Sequence, residues 1–201
     1  MWMDCTSQEH ICDANCADIL CFKGLRVLQR DNTNRSGKNT KSGAGLQPFA
    51  GDADKIKRRG IPQPPPGFTS AEENTYEGTA QGGAYTHITA ARPEEQNVQK
   101  NNIQASYRAA DPPIAQKKWF YRNFKNFGNS APHCAALMQN PPDKSICDKR
   151  TETDGFDPKD YTVELDDPNA SGFKTFHLLW SGAKSPKKRA DENEIEADDE
   201  D

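Results

Sequence analysis

Paired carboxylates are the residues of this chain whose types and spacing could support catalysis. Glu72 and Glu73 are adjacent, Glu77 follows them, and Glu95 lies beyond a predicted strand. Carboxylate oxygens are the ligands that Mg²⁺ and Mn²⁺ prefer, and a metal-bound water is a nucleophile for hydrolysis. Metal-assisted hydrolysis is therefore the first chemistry to consider for these acids.

Two blocks of sequence surround the acids, one at residues 63–73 (QPPPGFTSAEE) and one at residues 92–97 (RPEEQN). In register and spacing the blocks resemble the signature of the NucA/NucB-type deoxyribonucleases, small secreted nucleases of spore-forming bacteria and filamentous fungi. In that family the first block carries paired acids of a metal site, and Gln63, Pro64 and Pro65 stand at the matching positions here. Because proline side chains cannot bind a metal, the resemblance implies the family's fold with impaired or lost catalysis.

The second block departs from the family in the same way. Pro93 and Asn97 match the family pattern, but Gln96 stands where the family has an acid. Glu95 lies one residue away, and one residue on a helix turns a side chain by about 100°. The resemblance therefore gives Glu95, Gln96, Asn97 and Glu72 as the candidate catalytic residues, with Mg²⁺ or Mn²⁺ as the cofactor if the site is active.

Three functions remain open from the sequence. The first is a diverged NucA/NucB-like protein that keeps the fold and some polyanion binding but has lost cleavage. The second is an active nuclease that uses displaced acids such as Glu72, Glu73, Glu77 or Glu95. The third is a small disulfide-rich secreted or interaction protein without nuclease activity.

Six cysteines, an even number, indicate disulfide bonds in an oxidising compartment. Cys12, Cys16, Cys21 and Gly24 follow the outline of the N-terminal segment of fungal members of the family, and the whole resemblance covers about residues 5–105. Six cysteines allow 15 pairings, and the sequence does not choose among them. A zinc site with His10 and a set of free thiols are the alternatives, although the chain contains no C-x2-C pair.

Secretion is expected on the condition that the chain begins upstream of Met1. Residues 1–5 offer neither a basic stretch nor an apolar run of the kind that makes a signal peptide. No window approaches the eighteen apolar residues of a transmembrane helix, so neither a membrane nor an obligate protein partner is expected.

Residues 30–60 are the best electrostatic indication of a polyanion partner such as DNA. They hold eight basic and three acidic side chains, and the densest cluster is Lys55, Lys57, Arg58 and Arg59. We predict that this cluster contacts nucleic acid. Because the segment is polar and shows no apolar period, we predict a loop, and a merely solvated loop is the alternative.

Composition limits the chain to one modest domain. Of its 201 residues 33% are hydrophobic and the mean hydropathy is -0.97, which allows only a small core. Residues 1–182 are predicted to form the NucA/NucB-like domain. Residues 183–201, with four basic and eight acidic side chains, are predicted to be a disordered tail.

Hydrophobic patterning predicts a small α+β fold with two or three helices on an antiparallel sheet. Helices are predicted at residues 11–23, from Pro93 onward and at 114–127, and strands at 25–28, 85–91, 161–165 and 173–180. Gly24 is predicted to end the first helix in a left-handed turn. Phe120, Phe124 and Phe127 are interpreted as the core-facing stripe of a helix, and the alternative is that aromatic and basic residues there hold a nucleic-acid strand.

Overall fold

The computed structural model describes residues 1–180. Its five α-helices are α1 (Glu9–Cys21), α2 (Arg35–Ser42), α3 (Ala53–Arg58), α4 (Pro93–Ala109) and α5 (Pro132–Leu137). Its eight strands are β1 (Trp2–Asp4), β2 (Val27–Gln29), β3 (Ser70–Glu73), β4 (Ile88–Ala91), β5 (Trp119–Tyr121), β6 (Asn123–Lys125), β7 (Thr162–Leu165) and β8 (Phe176–Leu178). The predicted tail, residues 183–201, lies outside the described residues.

The largest sheet has the strand order β3-β4-β7-β8, and all its neighbours are antiparallel. Two smaller pairs complete the strands, an antiparallel pair of β2 with β5 and a parallel pair of β1 with β6. These elements confirm the α+β class. The predicted antiparallel pair at 161–165 and 173–180 is confirmed as β7 and β8, and the helix predicted from Pro93 is α4.

Two hydrophobic clusters form the core. One lies behind the large sheet and includes Phe49, Ile56, Phe68, Ile88, Phe156 and Val163. The other surrounds α1 and includes Leu28, Tyr107, Phe120, Phe124 and the buried cysteines. Among residues 1–180, no helix combines the length and apolarity needed to cross a membrane.

The six cysteines form three disulfides, which confirms the disulfide prediction over zinc and free thiols. They join Cys5 to Cys12, Cys16 to Cys134, and Cys21 to Cys147. The last two attach α1 to α5 and to the short 3-10 helix Lys144–Asp148. The long-range bonds thus fix the helix around which the smaller core forms.

The prediction of a loop at residues 30–60 is wrong, because the segment contains α2 and α3. The helix α2 buries only Ser42. Its sequence contains no apolar stripe, so hydrophobic patterning did not indicate a helix there. Asp52 begins α3 by accepting a hydrogen bond from the Lys55 backbone N–H at 2.7 Å. Ile56 alone in α3 is buried, and it packs in the core behind the large sheet.

The predicted helix at 114–127 is also wrong, because these residues form β5 and β6. Phe120, Arg122 and Phe124 are buried, whereas Trp119 and Tyr121 are exposed. Phe120 and Phe124 are four residues apart and share a face in both a helix and a strand, so their spacing did not distinguish the two. Phe127, the third residue of the predicted stripe, lies beyond β6 and packs partly buried against the core. The alternation at every second residue is the period of a strand.

The end of α1 differs from the prediction in one residue. Lys23, with φ of 59°, adopts the left-handed conformation that was predicted for Gly24. The Gly24 N–H instead donates to the Asp18 carbonyl at 2.9 Å. A β-carbon at Gly24 would lie 1.9 Å from an Asp18 carboxylate oxygen, so glycine is required there by close approach.

Candidate functional site

A cleft of about 660 Å³ lies between α2, the end of β3 and α4. We call it the polar cleft, because charged, amide and phenol side chains line most of it. The residues used below are Arg35 and Asn39 from α2, Glu72, Glu73, Tyr76 and Glu77 from β3 and the turn after it, and Asn97, Gln99, Lys100 and Tyr107 from α4. Three of the acids that sequence analysis singled out therefore share one site.

Glu72 is 3% exposed and lies at the inner side of the polar cleft. Its Oε1 atom accepts hydrogen bonds from Asn15 Nδ2 at 3.0 Å and from Gln99 Nε2. Burial raises the pKa of Glu72 to about 7, against the lowering effect of the two amides. A substantial fraction of Glu72 is thus protonated near neutral pH.

Asn15 connects this carboxyl group to a buried cation. While its Nδ2 atom donates to Glu72, its Oδ1 atom accepts from the guanidinium of Arg122 at 2.9 Å. Arg122 is fully buried and also donates to the carbonyls of Leu25 and Asn74. Arg122 therefore holds the inner wall of the cleft and is not available to a nucleic acid.

Glu73 brings an unsatisfied carboxylate oxygen to the polar cleft. The residue is 7% exposed, and its Oε2 atom lies 3.4 Å from Asn39 Nδ2. Its Oε1 atom is buried without a hydrogen-bond partner in the described part of the chain. Burial raises the pKa of Glu73 as well. A buried acceptor of this kind is costly unless a bound group satisfies it.

Tyr76 and Tyr107 add two buried phenol groups. The Tyr107 hydroxyl has no hydrogen-bond partner within residues 1–180, whereas the Tyr76 hydroxyl lies beside the Arg122 guanidinium. Burial raises the pKa of Tyr107 to about 12 and that of Tyr76 further still, so both hydroxyls are protonated donors at neutral pH. The guanidinium of Arg30 lies 4.6 Å from the Tyr107 ring centroid and orients that ring.

The outer part of the polar cleft carries charge of both signs. Arg35 forms an ion pair with Glu77, and Lys100 is exposed on α4. Asn97, one of the predicted catalytic residues, is exposed and lines the cleft between these groups and β3. The arrangement offers hydrogen-bond donors and cations to an anionic or polar ligand.

Gln96 lies at the cleft but is committed to the sheet. Its Oε1 atom accepts from the Ser70 hydroxyl, and its Nε2 atom donates to the Ala71 carbonyl at 2.6 Å. Both ends of the amide thus hold α4 against β3. The Gln96 side chain therefore has a structural contact in this fold.

Glu95, the remaining predicted catalytic residue, lies outside the polar cleft. Its Oε1 atom contacts His10 Nδ1 at 2.7 Å, and its Oε2 atom accepts from the Ile11 backbone N–H at 3.0 Å. The carboxylate therefore satisfies a donor in the first turn of α1 and joins α1 to α4. The rotation of about 100° expected from its sequence position accounts for this different direction.

The prolines of the first sequence block lie away from the polar cleft. Pro64 and Pro65 do not line the polar cleft, and the residues that contact Gln96 are Ser70 and Ala71. The part of the first block that contacts the second block is therefore β3. The contacting residues are Ser70 and Ala71, which precede the buried Glu72.

The predicted DNA-binding cluster lies on α3 and on Arg59, the residue after it, and none of its residues lines the polar cleft. Lys57 and Arg58 are exposed, but Asp52 and Asp54 border the same surface depression. Lys55 is half-buried. Arg59 is buried, donates to the Leu46 carbonyl at 3.0 Å and has a pKa lowered by burial. The cluster is therefore divided between solvent and the protein interior.

Asn39, Gln99 and Tyr107 line the cleft, and Asn15 bonds Glu72; the sequence pattern indicated none of these four as site residues. Asn15 and Asn39 lie on other helices, far from β3 in sequence, and an amide carries no local signal of function. Gln99 was recognisable only as a position three residues after Gln96 on the same helix face. The fold, and not the motif spacing, brings these residues together.

The acids of the polar cleft do not fit a preformed metal site. Within residues 1–180, no three His, Cys, Asp or Glu side chains come together in a way that could hold a metal ion. Glu72 is bonded to two amides, Glu77 is paired with Arg35, and only Glu73 has an oxygen left unsatisfied. Mg²⁺ takes one or two ionised carboxylates at least, whereas burial favours the protonated forms of Glu72 and Glu73.

Replacing Glu72 by glutamine is expected to stabilise the protein at pH 8 and to change little at pH 4. Because folding raises the pKa of Glu72 from 4.5 to about 7, its charged form weakens the fold progressively as pH rises between these values. The uncharged amide avoids that cost, which is on the order of 3 kcal/mol at pH 8. Urea unfolding of the variant and the natural sequence at pH 8 and pH 4 measures the difference in their free energies of unfolding. The same difference at both pH values would contradict the prediction.

The comparisons with known proteins add no relative to this description. No family model, no curated protein and no solved structure matches the chain.

Proposed function

We propose that this protein is a diverged relative of the NucA/NucB-type deoxyribonucleases that binds nucleic acid through the polar cleft and has lost metal-dependent cleavage. The alternative, a disulfide-rich interaction protein without affinity for DNA, is an outcome of the test below. The resemblance of the two sequence blocks suggests nucleic acid as the ligand. The contacts of the acids in the cleft suggest that cleavage has been lost.

The contact of Gln96 carries the proposal. At the position where the family has an acid, the chain has an amide that bonds both Ser70 and Ala71. A carboxylate there could accept from Ser70 but would repel the Ala71 carbonyl. The local structure is thus built for glutamine, which supports a site that no longer needs the acid.

The remaining groups of the cleft support binding. The Glu73 oxygen and the Tyr107 hydroxyl are buried polar atoms that gain a partner when a ligand enters. Arg35 and Lys100 stand at the outer part, where a phosphate would meet them. A nucleotide combines both requirements, because its base offers N–H and acceptor groups and its phosphate is an anion.

The disulfides support an oxidising compartment, and we include secretion in the proposal. All six cysteines of the chain are paired. Such bonds are rare in the reducing cytosol and frequent in small secreted proteins. Mass spectrometry of the unreduced protein purified from its natural source tests this part, and free thiols would contradict it.

Incubation with supercoiled plasmid and Mg²⁺ or Mn²⁺ is expected to give no cleavage that EDTA abolishes. The physical reason is that Glu72 is bonded to two amides and Glu77 to Arg35, so these carboxylates do not present the free oxygens that these metals require. Agarose gels measure the result, with the double variant Glu72→Gln/Glu73→Gln as the background control. EDTA-sensitive cleavage that this variant lacks would establish an active nuclease with displaced acids.

Binding is tested separately with fluorescent oligonucleotides. Arg35→Ala and Lys100→Ala are each expected to weaken binding and to reduce the salt dependence, because each removes one phosphate contact. Lys144→Ala, an exposed lysine outside the cleft, is the matched control for charge. If the natural sequence shows no affinity for any oligonucleotide, the interaction-protein alternative replaces the proposal.

A further inference from the structure

Three large aromatic side chains point into solvent on the β1/β6 and β2/β5 strand pairs. Trp119 is 60% exposed, Tyr121 47% and Trp2 53%. Trp119 and Tyr121 lie on one face of β5, with Val27 of β2 directly opposite Tyr121. We call the surface formed by Val27, Trp119 and Tyr121 the aromatic face; Trp2 is exposed on the separate β1/β6 pair.

Packing does not account for this exposure. The opposite side of the same strands fills the core with Leu28, Phe120 and Phe124, each at most 5% exposed. Polar side chains in place of the outward aromatic residues would leave the packing of that core unchanged. Clustered exposed aromatic side chains on a monomer are characteristic of a binding surface.

Cations accompany the aromatic residues. The Arg26 guanidinium lies 4.7 Å from the centroid of the Tyr121 ring. Lys117 and Lys118 precede β5, Lys125 ends β6, and all three are exposed. Two acids lie among them, Asp31 at 2.6 Å from Lys117 and Asp4 at 3.9 Å from Lys125. Four cations thus face two carboxylates, and the surface is positive.

We infer that the aromatic face binds single-stranded nucleic acid. Successive outward residues of a strand are about 6.7 Å apart, so Trp119 and Tyr121 can each stack an unpaired base. The phosphates between the bases then lie near Arg26 and the lysines. The inference rests on the proposed function for the class of ligand, and adds to it a second surface and the single-stranded form.

The same observations favour this ligand over two other occupants. A lipid surface would be met by an apolar patch with cations at its border, whereas here Arg26 lies directly on the Tyr121 ring. A second copy of the chain would bring the same four cations against themselves across a two-fold axis. Both occupants remain outcomes of the experiment.

The experiment measures binding of the full chain to fluorescent dT15 and to a duplex of the same length by anisotropy. The natural sequence is expected to prefer dT15, and Trp119→Ala/Tyr121→Ala is expected to weaken dT15 binding about tenfold or more. If a base stacks on Trp119, dT15 is expected to quench the tryptophan fluorescence of the natural sequence. The double variant is expected to lose this quenching. Phe173→Ala, which removes an aromatic residue that is 59% exposed elsewhere, is the matched control.

Equal affinity of the aromatic-face variant and the natural sequence for dT15 would overturn the inference, as would equal affinity for duplex. Binding to phosphatidylserine vesicles without binding to dT15, or a dimer that the double variant abolishes, would assign the surface to one of the other occupants. If Arg35→Ala and Lys100→Ala weaken binding and the aromatic variant does not, the polar cleft stands and this inference fails. If the aromatic variant weakens binding and Arg35→Ala and Lys100→Ala do not, the aromatic face is supported as the binding surface and binding at the polar cleft is contradicted.

Discussion

Replacing Cys16 and Cys134 together by alanine is expected to lower the free energy of unfolding by about 3 kcal/mol. Their sequence separation is 118, but the Cys21–Cys147 bond already joins the same two regions, so the loop that this bond closes in the unfolded chain has about 20 residues. A domain of this size has a total stability of about 5–15 kcal/mol. Loss of this one bond therefore removes a large part of the stability, and reduction of all three is expected to unfold the chain.

The bond between Cys5 and Cys12 provides the matched control. All four cysteines are buried to nearly the same degree, so the cavities left by alanine are similar. The separation of Cys5 and Cys12 is only 7, which corresponds to about 2 kcal/mol. Urea unfolding of the two double variants under non-reducing conditions measures the difference. Equal losses of stability would show that loop closure is not the cause.

The same bonds show what sequence alone could and could not predict. An even number of cysteines in a chain with a thin core was sufficient to predict disulfides. The pairing required the fold, because it depends on α1 lying between α5 and the 3-10 helix Lys144–Asp148. Similarly, Pro93 and the acids after it predicted the start of α4, which helix-terminal chemistry alone determines.

The errors have physical causes of the same kind. The period that predicted a helix through Phe120 and Phe124 fits a strand equally well, and only the burial of Arg122 between them resolves the choice. A buried arginine is not foreseeable from local sequence, since its partners are the side chain of Asn15 and distant backbone carbonyls. The polar helix α2 was missed because it covers a cleft and not a core.

The candidate site was partly predictable. Glu72 and Asn97 were singled out and line the polar cleft, whereas Glu95 points to His10. Whether a carboxylate is ionised, however, depends on its burial and on amides from other elements, as for Glu72. Motif spacing carries no information about either quantity, so activity cannot be read from the two blocks alone.

A second strong effect is expected from pH, through a buried histidine. His87 Nδ1 lies 2.6 Å from Asp18 Oδ1 of α1, and His87 Nε2 lies 3.3 Å from Glu164 Oε2 of β7. Burial lowers the pKa of His87, but the charges and hydrogen bonds of Asp18 and Glu164 outweigh it and raise the pKa to about 9. The histidine is thus charged at neutral pH between two carboxylates.

The sign of the effect follows from the two pKa values. Because folding raises the pKa from 6.5 to about 9, the native state holds its proton more tightly than the unfolded chain. The resulting stability, about 3 kcal/mol, is fully present below pH 6.5 and is lost as pH rises through 9. Glu72 destabilises with rising pH too, but because its folded pKa is about 7 its effect is nearly complete by about pH 8. The interval from about pH 8 to 9.5 therefore reports mainly on His87.

Unfolding by urea across that interval is expected to show a fall in stability that His87→Asn lacks. The asparagine amide can still donate to Asp18 but cannot take up a proton, while every other group titrates in both proteins. At pH 6 the variant is expected to be less stable by about 3 kcal/mol. Should the variant fail to fold, NMR of the imidazole of the natural sequence gives the same information. A His87 titration midpoint near 6.5 would contradict the charged, carboxylate-bound histidine.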